Sequence, residues 1–481
     1  MRWALGHVAR KVRRWVELQI AGFTALRFPA TVPRMFRTVE MPVWLLALIL
    51  LFAAVTFASH FLFPSVRWFF RRRMEKVVAK LNTRLERPIQ PFKLARRHDM
   101  IQRLIYDPKV AEAITDHARV EGVPEAVAFQ LAQHYAKEIV PSFSASAYFG
   151  VAIRMARFLS RALYQVHLDE SNEAALRAID GDATIIFVMN HRSNMDYVLV
   201  TYLVAERSAL SYAVGEWARV WPLSRLIRAM GAFFIRRKSR NTLYRRVLAR
   251  YVQMATAGGV TQAIFPEGGL SLDGTVGPAK LGLLSYIVAG FDPQRSRDVV
   301  FVPVALNYDR VLEDRVLVET AKSDQRKFRA SVPTAMKFAV RYVWRRMLGR
   351  AVRFGHAGVG FGQPLSLRAF MADRGGEAIT GVGEEMRERV RAVIPVLPVP
   401  LVAYLMQRAG GPLTREALVR GVGPYLQRLP GTGLKAEAVV DEGLANLLSR
   451  RIVREGPDGV RAEPEQVNLL DYYANSIAHL F

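Results

Sequence analysis

A histidine and an aspartate stand five residues apart in the segment NHRSNMDY, Asn190–Tyr197, directly after the apolar run TIIFVM. At this spacing Asp196 can accept a hydrogen bond from one nitrogen of the His191 imidazole, which holds the other nitrogen in the form that accepts a proton. The segment therefore predicts a general base and its orienting carboxylate, without a protein nucleophile. The plainer alternative is an aspartate that caps a helix beside an unrelated histidine.

A second segment, GAFFIRR at Gly231–Arg237, runs from apolar residues straight into two arginines. Arg236 and Arg237 each offer a planar fork of N–H donors that suits a phosphate group. The pattern predicts a phosphate-binding site at the end of a strand. A basic strand end on a surface that faces a membrane would have the same sequence.

A third segment, FPEGG at Phe265–Gly269, also follows an apolar run. We expect Glu267 at the edge of a sheet, where Gly268 and Gly269 allow a ligand to approach backbone N–H groups closely. Lys280, in GPAKLG, comes at the predicted start of a helix. An ordinary turn from strand to loop is the alternative interpretation.

The elements that must position these residues alternate between short β-rich runs and helical stretches from about residue 166. Such alternation predicts an α/β domain with a mostly parallel central sheet flanked by helices. Open sheets of this class bind ligands at the carboxyl ends of their strands, where the three segments fall. The predicted strands are Thr184–Met189, Ala232–Ile235, Gln262–Phe265, Val299–Val304 and Val359–Phe361, and the predicted helices between them include Met195–Glu206 and Arg219–Met230.

The chain is predicted to comprise five consecutive regions. Met41–Phe63 is a run of 23 residues without Lys, Arg, Asp or Glu, which predicts a membrane-embedded helix. Basic residues lie on both sides of this run, so the positive-inside rule leaves its orientation open. The regions are a basic interfacial segment at 1–40, the membrane-embedded helix at 41–63, a helical region at 64–165, a catalytic domain at 166–375, and a mostly helical region at 376–481 with a hairpin around Pro457–Gly459.

The composition narrows the function further. The 481 residues carry 68 Lys and Arg against 42 Asp and Glu, a net charge of +26 that indicates an anionic partner. Zinc-finger spacing, a Gly-rich RNA motif and interleaved aromatics are all missing, which disfavours nucleic acid. The chain has no cysteine, so disulfides, thiolate metal ligands and cysteine nucleophiles are excluded, and no metal site is apparent. GVGFG, at Gly358–Gly362, lacks the following helix that a dinucleotide-binding loop needs.

The order of the segments is more specific than any one of them. His191 with Asp196, the GAFFIRR arginines, FPEGG and the VPV run at 302–304 resemble the four blocks of the glycerolipid acyltransferase family. Within that family, GAFFIRR and YYANSIAHL (Tyr472–Leu480) are similar to glycerol-3-phosphate and dihydroxyacetone-phosphate acyltransferases. The resemblance implies that an acyl thioester of coenzyme A or of acyl carrier protein acylates glycerol 3-phosphate, the first step of phospholipid synthesis.

The resemblance also implies a role for each candidate residue. His191 takes the proton of the acceptor hydroxyl, Asp196 orients it, and backbone N–H groups near the His191 turn hold the developing oxyanion. Arg237 contacts the acceptor phosphate, Glu267 positions the acceptor, and Pro303 shapes the wall of the cleft. Neither a metal nor a cofactor is expected, and the remaining members of the predicted substrate-binding set are Arg236, Gly268, Gly269 and Lys280.

The chain departs from the family in the third block, where Leu270 and Leu272 stand in place of two arginines. A hydrophobic pair suits an acceptor that already carries an acyl chain, so 1-acylglycerol 3-phosphate is an alternative acceptor, and dihydroxyacetone phosphate is another. A non-catalytic tethering protein would be expected to lack the pair of His191 and Asp196. We expect the protein at the cell membrane, with a cytoplasmic catalytic domain and with anionic lipids, not nucleic acid, among its partners.

Overall fold

The computed structural model divides the chain into two units, Met1–Lys76 and Val77–Phe481. The predicted interfacial segment at 1–40 lies outside the described residues. The described residues are 42–169, 171–204, 208–215, 219–220, 223–236, 239–322, 353–374, 378–429 and 433–481.

The first described element is a helix, α1, over Val43–Asn82, which includes most of the segment 41–63. Most of the large apolar side chains from Val43 to Phe57 are exposed, Trp44 and Phe52 among them. Among the described residues, no helix is both long enough and apolar enough to cross a bilayer. A helix is therefore present from Val43 through the rest of the predicted segment, and its embedding in a membrane stays a prediction.

Short helices fill most of the chain between residues 91 and 163. The helix that begins at Pro108 shows why they form: Asp107 accepts a hydrogen bond from the Lys109 N–H at 3.1 Å, and proline fixes the first helical φ angle. Gly122, at φ 65°, ends this helix in the left-handed conformation. The elements are α2 Pro91–Leu94, α3 Arg97–Ile105, α4 Pro108–Glu121, α5 Glu125–Ile139, a π-helix at Ser146–Ala152, and α6 Ile153–Leu163.

A mostly parallel eight-stranded sheet follows, which confirms the predicted α/β fold. Its order is β1-β7-β6-β2-β5-β3-β4, with β8 beside β6, and only the pairings of β6 with β7 and with β8 are antiparallel. Strands β2 and β6 are buried along their whole length and form the centre of the core. The strands are β1 Gln165–Asp169, β2 Thr184–Met189, β3 Ser211–Val214, β4 Phe233–Phe234, β5 Gln262–Ile264, β6 Val299–Tyr308, β7 His356–Phe361 and β8 Leu365–Ser366.

Helices connect and cover these strands. Seven helices follow β1 and precede the C-terminal part among the described residues: α7 Glu173–Arg177, α8 Met195–Leu203, α9 Leu223–Ala229, α10 Thr242–Ala257, α11 Gly282–Ala289, α12 Asp314–Lys322 and α13 Leu367–Arg374. The C-terminal part contains α14 Ala378–Ala392, α15 Pro398–Ala409, α16 Arg415–Val422, α17 Ala436–Ser449 and α18 Val467–Ala474. Strands β9 Val453–Gly456 and β10 Gly459–Ala462 pair as an antiparallel hairpin, as predicted around Pro457–Gly459.

Candidate active site

The histidine of the first segment lies where the sequence predicts it, on the turn after a central strand. Strand β2 ends at Met189, and helix α8 begins at Met195, so His191 stands between them at the carboxyl end of the strand. Asp196 is in the first turn of α8. Both side chains are buried, at 2% and 0% exposure.

The His191 ring and the Asp196 carboxylate form a direct hydrogen bond. The distance from Nδ1 of His191 to Oδ2 of Asp196 is 2.9 Å. The same oxygen accepts the N–H groups of Arg192 at 2.7 Å and Ser193 at 3.0 Å, and Oδ1 accepts the Tyr308 hydroxyl at 2.7 Å. Asp196 therefore both caps the turn and orients the imidazole, so the two interpretations of the sequence hold together. With Nδ1 donating, Nε2 is the nitrogen that can accept a proton.

Aromatic rings hold the plane of the His191 imidazole. The Phe265 ring stacks on it with centroids 4.2 Å apart, and the edge of Tyr197 meets it at 5.5 Å. Such contacts restrict ring rotation without competing for the ring nitrogens. The base is thus fixed in orientation by three elements: the turn after β2, helix α8 and the end of β5.

We call residues 191–195, which carry the predicted base and lead to Asp196, the catalytic turn. Its backbone N–H groups are all engaged within the protein. That of His191 donates to Glu267, those of Arg192 and Ser193 donate to Asp196, and the next two donate to Glu313 and to the Ser193 hydroxyl. Each of these donors already has an acceptor, so a free donor has to come from a neighbouring segment. The expectation that N–H groups near the His191 turn hold an oxyanion stays a prediction.

Glu267 joins the third segment to the catalytic turn. One carboxylate oxygen accepts the His191 N–H at 2.9 Å and the other accepts the Gly277 N–H at 3.3 Å. Burial raises the pKa of Glu267 to about 7, although these two hydrogen bonds and the charge of Arg192 act in the opposite direction. Through this hydrogen bond to the His191 N–H, Glu267 holds the backbone of the turn that carries the imidazole.

The pKa of Glu267 predicts a pH-dependent stability. Its folded value of about 7 exceeds the ordinary value of 4.5, so the folded state binds more protons between these pH values. The contribution to unfolding free energy is thus complete below pH 4.5 and declines as the pH rises to 7, by at most about 3 kcal/mol. Denaturant unfolding across this range should show a smaller decline in Glu267→Gln than in the wild type, because buried Asp309, with its pKa raised to about 6, contributes to the decline in both proteins. An equal slope in both proteins would contradict it, and the exposed Glu121→Gln is the matched control.

The glycines and the lysine of the third segment lie together. Gly268 has a φ of 67°, which favours glycine, and a Cβ placed on it would lie 3.1 Å from Cδ of Lys280. Lys280 itself is exposed, and its N–H donates to the Pro266 carbonyl at 2.7 Å. No atom lies within 4 Å of the position of a Cβ on Gly269. This part of the loop is therefore open, with a cation beside it.

The arginine of the second segment is already paired. Nε and Nη2 of Arg236 donate to the carboxylate of Glu138 at 2.9 and 2.6 Å, and Arg219 donates to the same group. Burial alone would raise the pKa of Glu138, but the hydrogen bonds and charges of these two arginines lower it below its ordinary value. Arg237, the predicted phosphate contact, lies outside the described residues.

The remaining predicted residues lie deeper. Pro303 is a buried residue of β6 that pairs with Val188 of β2, and its ring packs against Gly362. Leu270 and Leu272 are half-buried and pack on the main hydrophobic core. Each leucine is therefore partly covered by the core and partly exposed, at a position where the resemblance predicts an arginine.

The glycine-rich segment GVGFG has a structural explanation. It belongs to strand β7, and a Cβ on Gly358 would lie 2.6 Å from Cβ of Pro395, while one on Gly360 would overlap the Val393 carbonyl. Close packing, not a phosphate, accounts for these glycines. Among the described residues, no group of three or more His, Asp or Glu side chains is arranged to hold a metal ion.

Sequence reasoning missed the connection between the catalytic turn and the C-terminal helix α18. Arg192, 2% exposed, donates from Nη1 to the Gly274 carbonyl, and its guanidinium lies 4.5 Å from the centre of the Tyr472 ring. The Asn475 amide donates to the Asp273 carbonyl at 3.0 Å, and the Ser271 N–H donates to the His191 carbonyl at 2.9 Å. The loop after Glu267 is therefore clamped between the catalytic turn and YYANSIAHL, which gives that motif a positioning role.

Gly274 is the tightest point of this clamp. Its φ is 92°, and a Cβ there would overlap the Tyr472 carbonyl. We expect Gly274→Ala to lower the free energy of unfolding by at least about 2 kcal/mol, since both backbone strain and the overlap oppose it. Thermal unfolding measures the loss. Gly282→Ala, where a Cβ meets nothing within 4 Å, is the control, and an equal melting temperature in the two variants would contradict the clamp.

The comparisons with known proteins agree with this geometry. Residues 165–307, which include β2 and the catalytic turn, match the acyltransferase family, and residues 344–481 match the glycerol-3-phosphate acyltransferase C-terminal region. The chain is therefore similar to the glycerol-3-phosphate acyltransferases over both regions. The clamp at Tyr472 joins the two matched regions to each other.

Relatives in the family are distant and longer. Glycerol-3-phosphate acyltransferase of Pseudomonas entomophila is 26% identical over 419 residues, which cover 81% of this chain and 49% of the relative. That of Haemophilus ducreyi is 27% identical over 425 residues, covering 81% and 50%. The chain thus spans about half the length of the curated relatives it matches. Among solved structures, the 1-acyl-sn-glycerophosphate acyltransferase of Thermotoga maritima is 19% identical, covers 51% of this chain and 80% of its own, and has a TM-score of 0.28.

Proposed function

We propose that the protein transfers an acyl group from a thioester to a hydroxyl of glycerol 3-phosphate. The buried pair of His191 and Asp196 at a strand end, in a chain similar to this family, is the observation that carries the proposal. The acceptor hydroxyl gives its proton to Nε2 of His191 while its oxygen attacks the thioester carbonyl. The tetrahedral intermediate expels the thiolate, which takes the proton back from the imidazolium, and Asp196 stabilises that cation between the two steps.

The oxyanion of the intermediate is assigned to the open part of the FPEGG loop. The N–H groups of the catalytic turn are occupied, and the Gly268 N–H donates to the Phe265 carbonyl at 3.0 Å. Gly269 borders open space and follows Glu267, which is bonded to the His191 backbone. Its N–H group supports a role as oxyanion donor, with Lys280 beside the same turn.

Glycerol 3-phosphate is proposed as the acceptor because the C-terminal match and the names of the relatives agree on it. The phosphate is assigned to Arg237 and to Lys280. Strand β4, which leads to the arginines, lies three strand spacings from β2, about 14 Å in a flat sheet. A long arginine side chain and a three-carbon acceptor together bridge much of that separation. The half-buried Leu270 and Leu272 favour, as a second candidate, an acceptor with an acyl chain.

Two substitutions distinguish these acceptors. We expect Arg237→Ala to raise the Michaelis constant for glycerol 3-phosphate by about 10- to 150-fold, the equivalent of about 1.5–3 kcal/mol for a hydrogen bond to a charged group, with the thioester constant unchanged. Leu270→Arg should lower the Michaelis constant for glycerol 3-phosphate if the loop after FPEGG faces the acceptor phosphate. Weaker use of 1-acylglycerol 3-phosphate by Leu270→Arg, with no change for glycerol 3-phosphate, would instead favour the acylated acceptor. The exposed Arg119→Ala is the control for the loss of one charge.

The location and the donor also belong to the proposal. The exposed apolar side chains of α1 between Val43 and Phe57 support attachment at the cell membrane, and the catalytic domain is proposed to lie on the cytoplasmic side. The excess of basic residues supports anionic lipids as partners. Acyl-CoA and acyl carrier protein thioesters are both candidate donors, and initial rates with each at matched chain length separate them.

A further inference from the structure

Helix α6 exposes an apolar stripe on the unit that carries the candidate active site. Val151, at the end of the π-helix, and Met155 and Phe158 of α6 are 51%, 50% and 50% exposed. Steps of four and three residues bring them to one side of the helix. Ile153, Ala156, Ser160 and Leu163 are buried on the opposite side.

Arginines flank this stripe, and the segment that forms it has no carboxylate of its own. Arg154, Arg157 and Arg161 are exposed on α6, and no Asp or Glu occurs between residues 139 and 168. The guanidinium groups of Arg157 and Arg161 lie 5.7 and 5.5 Å from the centre of the Tyr202 ring of α8. The aromatic contact holds two cations at the border of the apolar stripe, so the charge has a fixed position.

The neighbouring helix α9 has the same character. It packs against the π-helix, Leu226 on it is 38% exposed, and Arg225 and Arg228 belong to it. The sequence has no Asp or Glu from residue 217 to residue 266. We name Val151, Arg154, Met155 and Phe158 the docking face.

We propose that the docking face binds the surface of an anionic lipid bilayer. Apolar side chains enter the boundary between headgroups and acyl chains, while the arginines meet lipid phosphates, as in interfacial amphipathic helices. Nucleic acid would be complementary only to the arginines. Methionine, phenylalanine and arginine also occur in protein interfaces, so a protein partner, here a second copy of the chain, is an outcome of the test below. An anionic bilayer is complementary to both components of the face.

The position of the docking face connects it to the chemistry. Helix α6 packs against α8, which begins at Met195 and carries Asp196 in its first turn. A bilayer at the docking face would lie one helix away from the general base, so long acyl chains could remain in lipid near the site. The proposal does not depend on the identity of the acceptor, and it concerns a different unit from the exposed run of α1.

The absence of cysteine from the chain gives a direct test. Phe158→Cys, made in the 481-residue chain, introduces a single thiol to which an environment-sensitive fluorophore is attached. With vesicles of phosphatidylcholine and phosphatidylglycerol, we expect a blue shift and a rise of emission, and a smaller change with phosphatidylcholine alone. Val120→Cys is the control, because Val120 is 76% exposed on α4 but is next to Glu121. Its label should not respond.

The contribution of charge is tested in the labelled Phe158→Cys protein. Adding Arg154→Gln should weaken the apparent vesicle affinity about fivefold, since a cation near an anionic surface contributes about 1 kcal/mol. Arg119→Gln on α4 should leave it unchanged. The proposal is overturned if vesicles change the emission of the label at position 158 no more than that of the label at position 120. This holds even if the protein floats with the vesicles. A change on raising the protein concentration without vesicles also overturns it, because a second copy would then cover the face.

Discussion

His191→Ala is expected to lower kcat/KM for acyl transfer by about 10²–10⁴-fold, the usual contribution of a general base. The imidazole is the group held by Asp196 at 2.9 Å and by the Phe265 ring at 4.2 Å, so its loss removes the proton acceptor and leaves the surrounding backbone bonds in place. Initial rates at saturating thioester, with circular dichroism to verify folding, measure the effect.

A second histidine provides the matched control for this loss. His134, exposed on helix α5, stands outside the candidate site, and His134→Ala should retain wild-type turnover. If His191→Ala kept more than half of the wild-type turnover, the assignment of the base would be wrong. A variant that failed to fold would be replaced by His191→Gln, which keeps much of the side-chain volume.

Asp196→Asn is expected to reduce turnover by up to about 10⁴-fold, the size of the corresponding change in a serine-protease triad. The Asp196 carboxylate accepts four hydrogen bonds from His191, Arg192, Ser193 and Tyr308. An amide offers one oxygen and two N–H groups, so it neither stabilises the imidazolium by charge nor satisfies all four donors. The rate as a function of pH, at saturating acceptor, gives the size of the effect.

Asp309→Asn is the matched control for the loss of a buried carboxylate. Asp309 accepts the N–H groups of His356 at 2.7 Å and Val399 at 2.8 Å, away from the catalytic turn, and burial raises its pKa to about 6. We expect this variant to lose stability while it retains kcat. Equal loss of kcat in the two variants would show that Asp196 acts through stability alone.

The central strand and the catalytic turn could be predicted because their signals are local. Thr184–Met189 is a continuous apolar run with boundaries that match β2, and His191 with Asp196 follows within seven residues. Strands β1 and β3 were not predicted, since QVHLD mixes polar and apolar residues and SYAV is only four residues long. Both strands form through pairing with β7, β4 and β5, which a single short window does not reveal.

The partners of the site could not be predicted because they are distant in sequence. Glu138 binds Arg236 from 98 residues away, Tyr308 binds Asp196 from 112, and Glu313 receives the Ser193 hydroxyl at 2.7 Å from 120. The VPV run at 302–304 predicts a role for Pro303, whereas Tyr308 of the same strand makes the contact with the Asp196 carboxylate. Only the folded topology brings these side chains to the same sheet edge.

The most direct measurement is the mass of the product formed from glycerol 3-phosphate and a palmitoyl thioester by the purified wild-type protein. The account predicts a monoacylated glycerol phosphate, formed in proportion to enzyme and lost in His191→Ala. Dihydroxyacetone phosphate and 1-acylglycerol 3-phosphate, tested in parallel, should be poorer acceptors. Conversion of 1-acylglycerol 3-phosphate to a diacylated product, with no product from glycerol 3-phosphate on either thioester carrier, would contradict the account.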